Sequence, residues 1–199
     1  PAWTAEGTGE AALYLREEGG LSFEPPAASG DAFDEWTSDP SRPVPYTQDI
    51  AIGMTQTYMT DDQRFAARRP DVAVYSTDPL PDPVTLAGPL TAELWVSTSG
   101  TDADWVVKLV DVFPPDAPDH EGLPAGMRMG GYQMMVRSEV IRGRFRDSHG
   151  RPEPFVPGRP TLVALPLQDV LHTFQRGHRI MIQVQSTWFP LVDRNPQTF

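Results

Sequence analysis

The chain has 199 residues with 16 Lys and Arg against 27 Asp and Glu, a formal net charge of -11. That balance argues against nucleic acid and anionic membrane as partners, since like charges repel at long range. With no cysteine there are no disulfides or thiolate metal sites, and the apolar runs are too short to span a bilayer. An apolar content of 39% with 5 Trp and 9 Phe supports a buried core, while 22 Pro and 16 Gly imply many turns.

In chain order, residues 1–11 mix Trp3 with small and acidic side chains and read as a linker or arm from a preceding domain; the domain proper is expected over 12–199. Ala12, Leu13, Tyr14 and Leu15 form a short strand, and Gly19-Gly20 before Leu21-Ser22-Phe23 marks a hairpin return. Residues 25–49, rich in Pro, Asp and Ser around Phe33 and Trp36, fit a long surface segment lying over the domain. Ile50, Ala51 and Ile52 restart a strand. A Thr-rich run with Met54, Tyr58 and Met59 then precedes Asp61-Asp62-Gln63-Arg64.

Beyond Arg69-Pro70, Val72 and Val74 alternate with small neighbours, and Pro79, Pro81 and Pro83 prevent pairing until Val84. Leu90, Ala92, Leu94 and Val96 alternate with Thr91, Glu93 and Trp95, the pattern of a half-buried strand. Residues 105–113 are apolar on both faces except for Lys108 and Asp111, as expected of a central strand. An acidic loop at 114–131 leads to strands at 132–140, 161–167 and 179–187, with a weak helical turn at 168–172. About eight short antiparallel strands with long loops predict an all-β sandwich of jelly-roll type.

A hydrolase nucleophile elbow needs Gly-x-Ser-x-Gly; Ser99 precedes Gly100 but has Ser97 where the first Gly belongs, and reads as a turn serine. The His at 120, 149, 172 and 178 never fall at His-x-x-x-His spacing. His120 among Asp116, Asp119 and Glu121 reads as solvated loop and Asp102 and Asp104 as turn caps, a hard cation being the alternative for each set. His178 reads as a buried imidazole bonded to backbone. Arg64, Asp193 and Arg194 read as a structural latch, a guanidinium fork and a turn-fixing carboxylate. Met54, Tyr58, Met59, Trp188 and Phe189 either line an apolar pocket, pack in the core or cover an adjoining domain.

The blocks Asp61-Asp62-Gln63-Arg64, Asp71-Val72 through Tyr75-Ser76-Thr77, Asp104-Trp105-Val106-Val107-Lys108-Leu109-Val110-Asp111, Gly177-His178-Arg179-Ile180 and Phe189-Pro190-Leu191-Val192-Asp193-Arg194-Asn195-Pro196 together resemble one C-terminal domain. It belongs to the serine hydrolases that include X-Pro dipeptidyl peptidases, cocaine esterase, α-amino-acid ester hydrolases and glutaryl cephalosporin acylases, and the last two branches match best. The resemblance implies a galactose-binding-like jelly roll packed on α/β-hydrolase and cap domains, in an enzyme acting on a small ester or amide. The whole Ser-Asp-His triad would lie before residue 1, so no residue here is implied as catalytic, no cofactor is expected, and the isolated chain is expected to be inactive. The acyl-pocket wall of such enzymes maps onto Ile52, Met54 and Tyr58. Because relatives continue past Asp-Arg-Asn-Pro to a further strand, the sandwich is expected to lack its last one. Two other readings stay open: a carbohydrate-binding module using Trp36 or Trp188, and a structural domain supporting a homo-oligomer. Compartment is left open.

Overall fold

The computed structural model describes residues 7–27, 32–50 and 53–199. Its strands are β1 (Tyr14–Leu15), β2 (Leu21–Ser22), β3 (Val72–Ser76), β4 (Val84–Val96), β5 (Asp104–Val112), β6 (Gln133–Arg142), β7 (Thr161–Phe174) and β8 (Arg179–Gln185), with one helical turn, α1 (Arg64–Ala67), before β3. Every strand pair is antiparallel. A four-stranded sheet runs β3-β8-β5-β6, a long ribbon pairs β4 with β7, and β1 with β2 makes the small hairpin expected around Gly19-Gly20.

Sheet and ribbon stack as a β-sandwich, because each turns one apolar row toward the other. From the sheet come Tyr75, Trp105, Val107, Leu109, Ile180 and Val184, and from the ribbon Leu94, Val163, Leu165 and Phe174, all in one core. Phe174 and Ile180 have no exposed surface, and burying such a side chain stabilises the fold by about 2–3 kcal/mol. β5 is central and buried along nearly its whole length. Its inward row, Trp105, Val107 and Leu109, faces the ribbon, while Val106 packs on the opposite side with Tyr46 and Trp188.

Residues 168–172 continue β7 instead of forming a helical turn. A register shift between Gly88 and Leu90 sets Gly88 opposite Val170 but Leu90 opposite Leu167. The extra residue in β7 leaves Gln168 and Asp169 both outward between buried Leu167 and Val170. A bulge thus creates a three-residue apolar spacing that imitates a helix. Ile50 lies outside any strand and is fully exposed, and Ala51 and Ile52, expected to continue it, fall outside the described residues.

Candidate functional site

Val106 and Lys108 occupy the face of β5 turned away from the ribbon, where Tyr46 and Tyr58 pack with Val106 and Gln63 meets Lys108. Val44 and Tyr46 anchor this cover: Val44 N donates to Thr187 Oγ1 at 2.8 Å, and Tyr46 N donates to the Phe189 carbonyl at 3.0 Å. The Tyr46 hydroxyl accepts from Thr55 N at 3.0 Å and donates to the Gly53 carbonyl at 3.3 Å, closing the loop over its own ring. Tyr58, in a single 3-10 turn at Thr57–Met59, lies between Tyr46 and Trp188, with ring centroids 5.5 and 5.7 Å away. Such tilted and edge-on aromatic contacts hold side chains in defined positions. Above this aromatic floor Met54 is 64% exposed and Met59 46% exposed. Tyr58 is half-buried in this aromatic group, and Met54, four residues before it, is exposed on the same covering segment. Ile52 lies outside the described residues.

The Asp61–Arg64 block fastens the far end of the cover. Asp62 Oδ1 accepts from Arg64 N and from Gln133 N, each at 3.2 Å, and Arg64 Nε donates to Asp62 Oδ2 at 2.6 Å. Arg64 also donates to the Gly130 carbonyl, tying the cover to the loop entering β6. Gln63, 1% exposed, accepts at Oε1 from Lys108 Nζ at 3.0 Å. Lys108 is fully buried, has no carboxylate partner among the described residues and sits with its ammonium 4.9 Å from the Trp188 ring centre. Burial without a counter-charge pushes its pKa down from 10.5 to about 7.

The Asp193–Pro196 block closes a second network at the start of β5. Asp102 and Asp104 are buried at 0% and 2% exposure, held by Arg144 and Arg142 respectively. The single amide nitrogen of Asn195 bridges them, donating to Asp102 Oδ2 at 2.9 Å and Asp104 Oδ1 at 2.6 Å. Burial raises the Asp104 pKa against the opposing pull of Arg142 and Asn195, and Asp104 in turn makes Arg142 hold its proton more tightly. Asp193 is the exposed second partner of Arg142, at 2.9 Å, while Arg194 lies over the Phe189 ring and donates to the Pro40 carbonyl. Asp102 and Asp104 are thus ion-pair partners, neither simple turn caps nor cation ligands. Asn195, buried at 2%, is the member that sequence reasoning passed over. Its partners lie about ninety positions away, so no local spacing announces them.

The same tail crosses the turn at Gly100, where the Gln197 carbonyl accepts from Thr101 N and Asp102 N. A Cβ at Gly100 would overlap that carbonyl oxygen. Gly100→Ala is expected to cost about 2 kcal/mol, read as a melting temperature lower by about 6 °C; an unchanged melting curve would mean that the tail does not lie across the turn.

Of the four imidazoles, two meet on one carboxylate: His172 Nε2 and His178 Nδ1 donate to the two oxygens of buried Asp111 at 2.9 and 2.8 Å. His178 is therefore bonded to a side chain, not to backbone as its sequence position implied. The arrangement joins β5, β7 and the turn before β8. His120 contacts the Glu121 carbonyl, and His149 stacks on Phe145. Among the described residues no hydroxyl is hydrogen-bonded to an imidazole, and no three His, Asp or Glu side chains are grouped to hold a metal. Trp188 is 4% exposed under Tyr58, and Trp36 is half-buried, T-shaped against Trp105 with its Nε1 donating to Ser186 Oγ at 3.3 Å.

Over residues 1–198 the chain matches the model of the X-Pro dipeptidyl-peptidase C-terminal non-catalytic domain. It is 33% identical to the cocaine esterase of Rhodococcus sp. (strain MB1 Bresler) over 185 residues, which is 90% of this chain and 29% of that protein. A crystal structure of an aminopeptidase from the marine sediment archaeon Thaumarchaeota archaeon superposes with a TM-score of 0.91 at 47% identity, covering 100% of this chain and 32% of the other. An α-amino acid ester hydrolase labelled with selenomethionine gives 0.85 at 43% identity, covering 94% and 30%. The chain spans less than a third of the length of each of these relatives.

Proposed function

The chain belongs to the X-Pro dipeptidyl-peptidase C-terminal non-catalytic domain family, and from that membership we propose that it serves a serine-dependent α/β-hydrolase of esterase, acylase or dipeptidyl-peptidase type. It packs on the catalytic and cap domains, and Ile52, Met54 and Tyr58 help wall the pocket for the acyl group of a small ester or amide. The observation that carries this reading is the exposure of Met54 and Met59, four residues before and one after the half-buried Tyr58. Large apolar side chains are exposed there on a segment whose underside is fixed by two tyrosines, a tryptophan and the Asp61–Arg64 block. A rigid apolar surface of this kind excludes water and holds an acyl chain in place. Flexible thioethers adapt to acyl groups of different shape.

In the acyl-enzyme chemistry such hydrolases use, the nucleophile, base and oxyanion donors come from outside residues 1–199. What this chain adds is binding energy and desolvation at the acyl group. Met54→Asp in the whole enzyme is therefore expected to raise KM by about tenfold for esters with bulky apolar acyl groups, the worth of one or two methylenes in a pocket. The kcat for acetyl esters should stay within about twofold. An equal loss for every acyl group, or no change for any, would speak against the pocket-wall role.

A further inference from the structure

A cavity opens between the loop that follows β5 and the turn before β8. Pro114, Pro115 and Pro118 cannot donate to a strand ladder, so the chain leaves the sheet here and folds back on itself. The Pro114 carbonyl accepts from Ala117 N at 3.1 Å and from Gly131 N at 2.9 Å, and Phe113 N donates to the Tyr132 carbonyl at 2.9 Å. Asp119 Oδ1 accepts from Met129 N at 2.8 Å, which pins the far side of the loop to the near one. The cavity this leaves is about 430 Å³, walled by Phe113, Pro114, Pro118 and Met129, with Asp116 and two imidazoles as its polar groups. Small-ligand sites of about 300–1,000 Å³ have this make-up, mainly apolar walls with a few polar groups.

Those polar groups accept hydrogen bonds and stand among negative charges. His178 commits Nδ1 to the buried Asp111 carboxylate at 2.8 Å, which in the neutral ring leaves Nε2 as a lone pair. Nε2 has no partner among the described residues. The ring is also held against Phe113, with centroids 4.5 Å apart, and Phe113 against Tyr132 at 6.1 Å. Asp116 is exposed and makes neither a hydrogen bond nor an ion pair among the described residues. The second imidazole, His120, meets the Glu121 carbonyl through Nδ1 at 3.2 Å. Asp116, Asp119 and Glu121 on the loop and Asp111 beneath His178 outnumber Arg128, which Asp119 pairs at 3.3 Å, and Arg176 in the turn before His178. That balance, in a chain of net charge -11, favours a cation over an anion.

We propose that this cavity binds a free organic ammonium ion with an aromatic body. The ammonium meets the Asp116 carboxylate and the His178 lone pair, and the body lies on Phe113, the proline rings and the Met129 thioether, which packs well against an aromatic edge. A bare metal ion is not served, because among the described residues no three His, Asp or Glu side chains are grouped to hold one. A carboxylate ligand would face Asp116. The proposal uses no residue of the Met54–Tyr58 segment, so it stands or falls independently of the hydrolase reading.

The test is a titration of the whole protein, labelled with methyl-13C methionine, with phenethylammonium at about pH 8, where that amine is charged. The Met129 methyl resonance, identified by its loss in Met129→Leu, should shift with a Kd on the order of 0.1–1 mM, the strength open to so small a ligand. Asp116→Asn should weaken binding by about fivefold, the worth of one exposed charge pair, and Asp116→Lys should abolish it. Neither should move the melting temperature, because the Asp116 side chain has no partner to lose. Phenylpropionate, a similar body carrying a carboxylate, should leave Met129 unmoved. N-acetyl-lysine methylamide, the cation of a protein side chain, should bind more weakly than phenethylammonium because it has no ring. A Met129 resonance that does not move, unchanged affinity in Asp116→Lys, or a shift produced equally by phenylpropionate would overturn the proposal. Tighter binding of the lysine derivative would overturn it as well, by giving the cavity to a partner protein instead of a free amine.

Discussion

Asn195→Asp is expected to lower the melting temperature by about 10 °C, among the largest effects of any single substitution that adds no bulk. Asn195 lends one amide nitrogen to two buried carboxylates. The variant would place a third carboxylate between Asp102 and Asp104, leaving Arg142 and Arg144 to balance three charges. Breaking a buried ionic network in this way costs about 3–5 kcal/mol. At about 2–4 °C per kcal/mol for a domain of this size, that gives the figure stated. The new carboxyl would have its folded pKa raised by its neighbours, so the deficit is full at neutral pH and shrinks as pH falls toward about 4, where an ordinary Asp protonates and can donate again. Thermal melts at pH 4 and pH 7 check this. A deficit equal at both pH values, or below about 2 °C, would mean the three side chains do not share one site.

Lys108→Met is expected to do the opposite and stabilise the fold. Between pH 7 and 10.5 the unfolded chain holds a proton on this amine that the folded chain releases, so stability rises with pH across that window. Below pH 7 the cost of burying the ammonium is present in full, about 5 kcal/mol from the drop in pKa, and above pH 10.5 it is gone. Methionine fills nearly the same space without a charge but leaves Gln63 Oε1 without its donor, at about 1–3 kcal/mol. The charge term wins at pH 6, for a net gain of about 2 kcal/mol and about 6 °C. Near pH 10 the gain should vanish or reverse. The Trp188 face partly offsets the buried charge, and removing it would enlarge the gain in a double variant. Melting temperatures at pH 6 and pH 10 decide the matter, and a variant less stable at both would show that the ammonium is better solvated than its surroundings indicate. The cross-strand neighbour Gln183 is also fully buried, with its Oε1 unpartnered among the described residues. This polar row lies directly beneath the proposed pocket wall, where a uniform apolar layer would have been more stable.

What could be read from the residues divides along physical lines. Alternation predicted β4 and β8, and the two-faced apolar run predicted the central place of β5, because a strand's side-chain period is fixed by its backbone. Residues 168–172 misled because a bulge breaks that period, and nothing local distinguishes the break from a helical turn. Lys108 and Asp111 stood out as polar interruptions of the β5 run, but their partners could not be named, since Gln63, His172 and His178 arrive from other elements. The Asp193–Pro196 block was recognised as a unit, yet its buried member is Asn195, whose role depends on β5 being folded beside it. Met54 and Tyr58 were picked out through resemblance to a family. The aromatic support of Tyr58 by Tyr46 and Trp188 came only with the packing.

The central claim is that this chain shapes a hydrolase site whose reactive groups lie outside it. Labelling the whole enzyme with a serine-directed fluorophosphonate, followed by peptide mass spectrometry, tests that claim most directly. The account predicts one adduct, on a serine outside residues 1–199, together with no labelling of the 199-residue chain alone. An adduct on any serine within these residues, or an enzyme that takes no label at all, would contradict it.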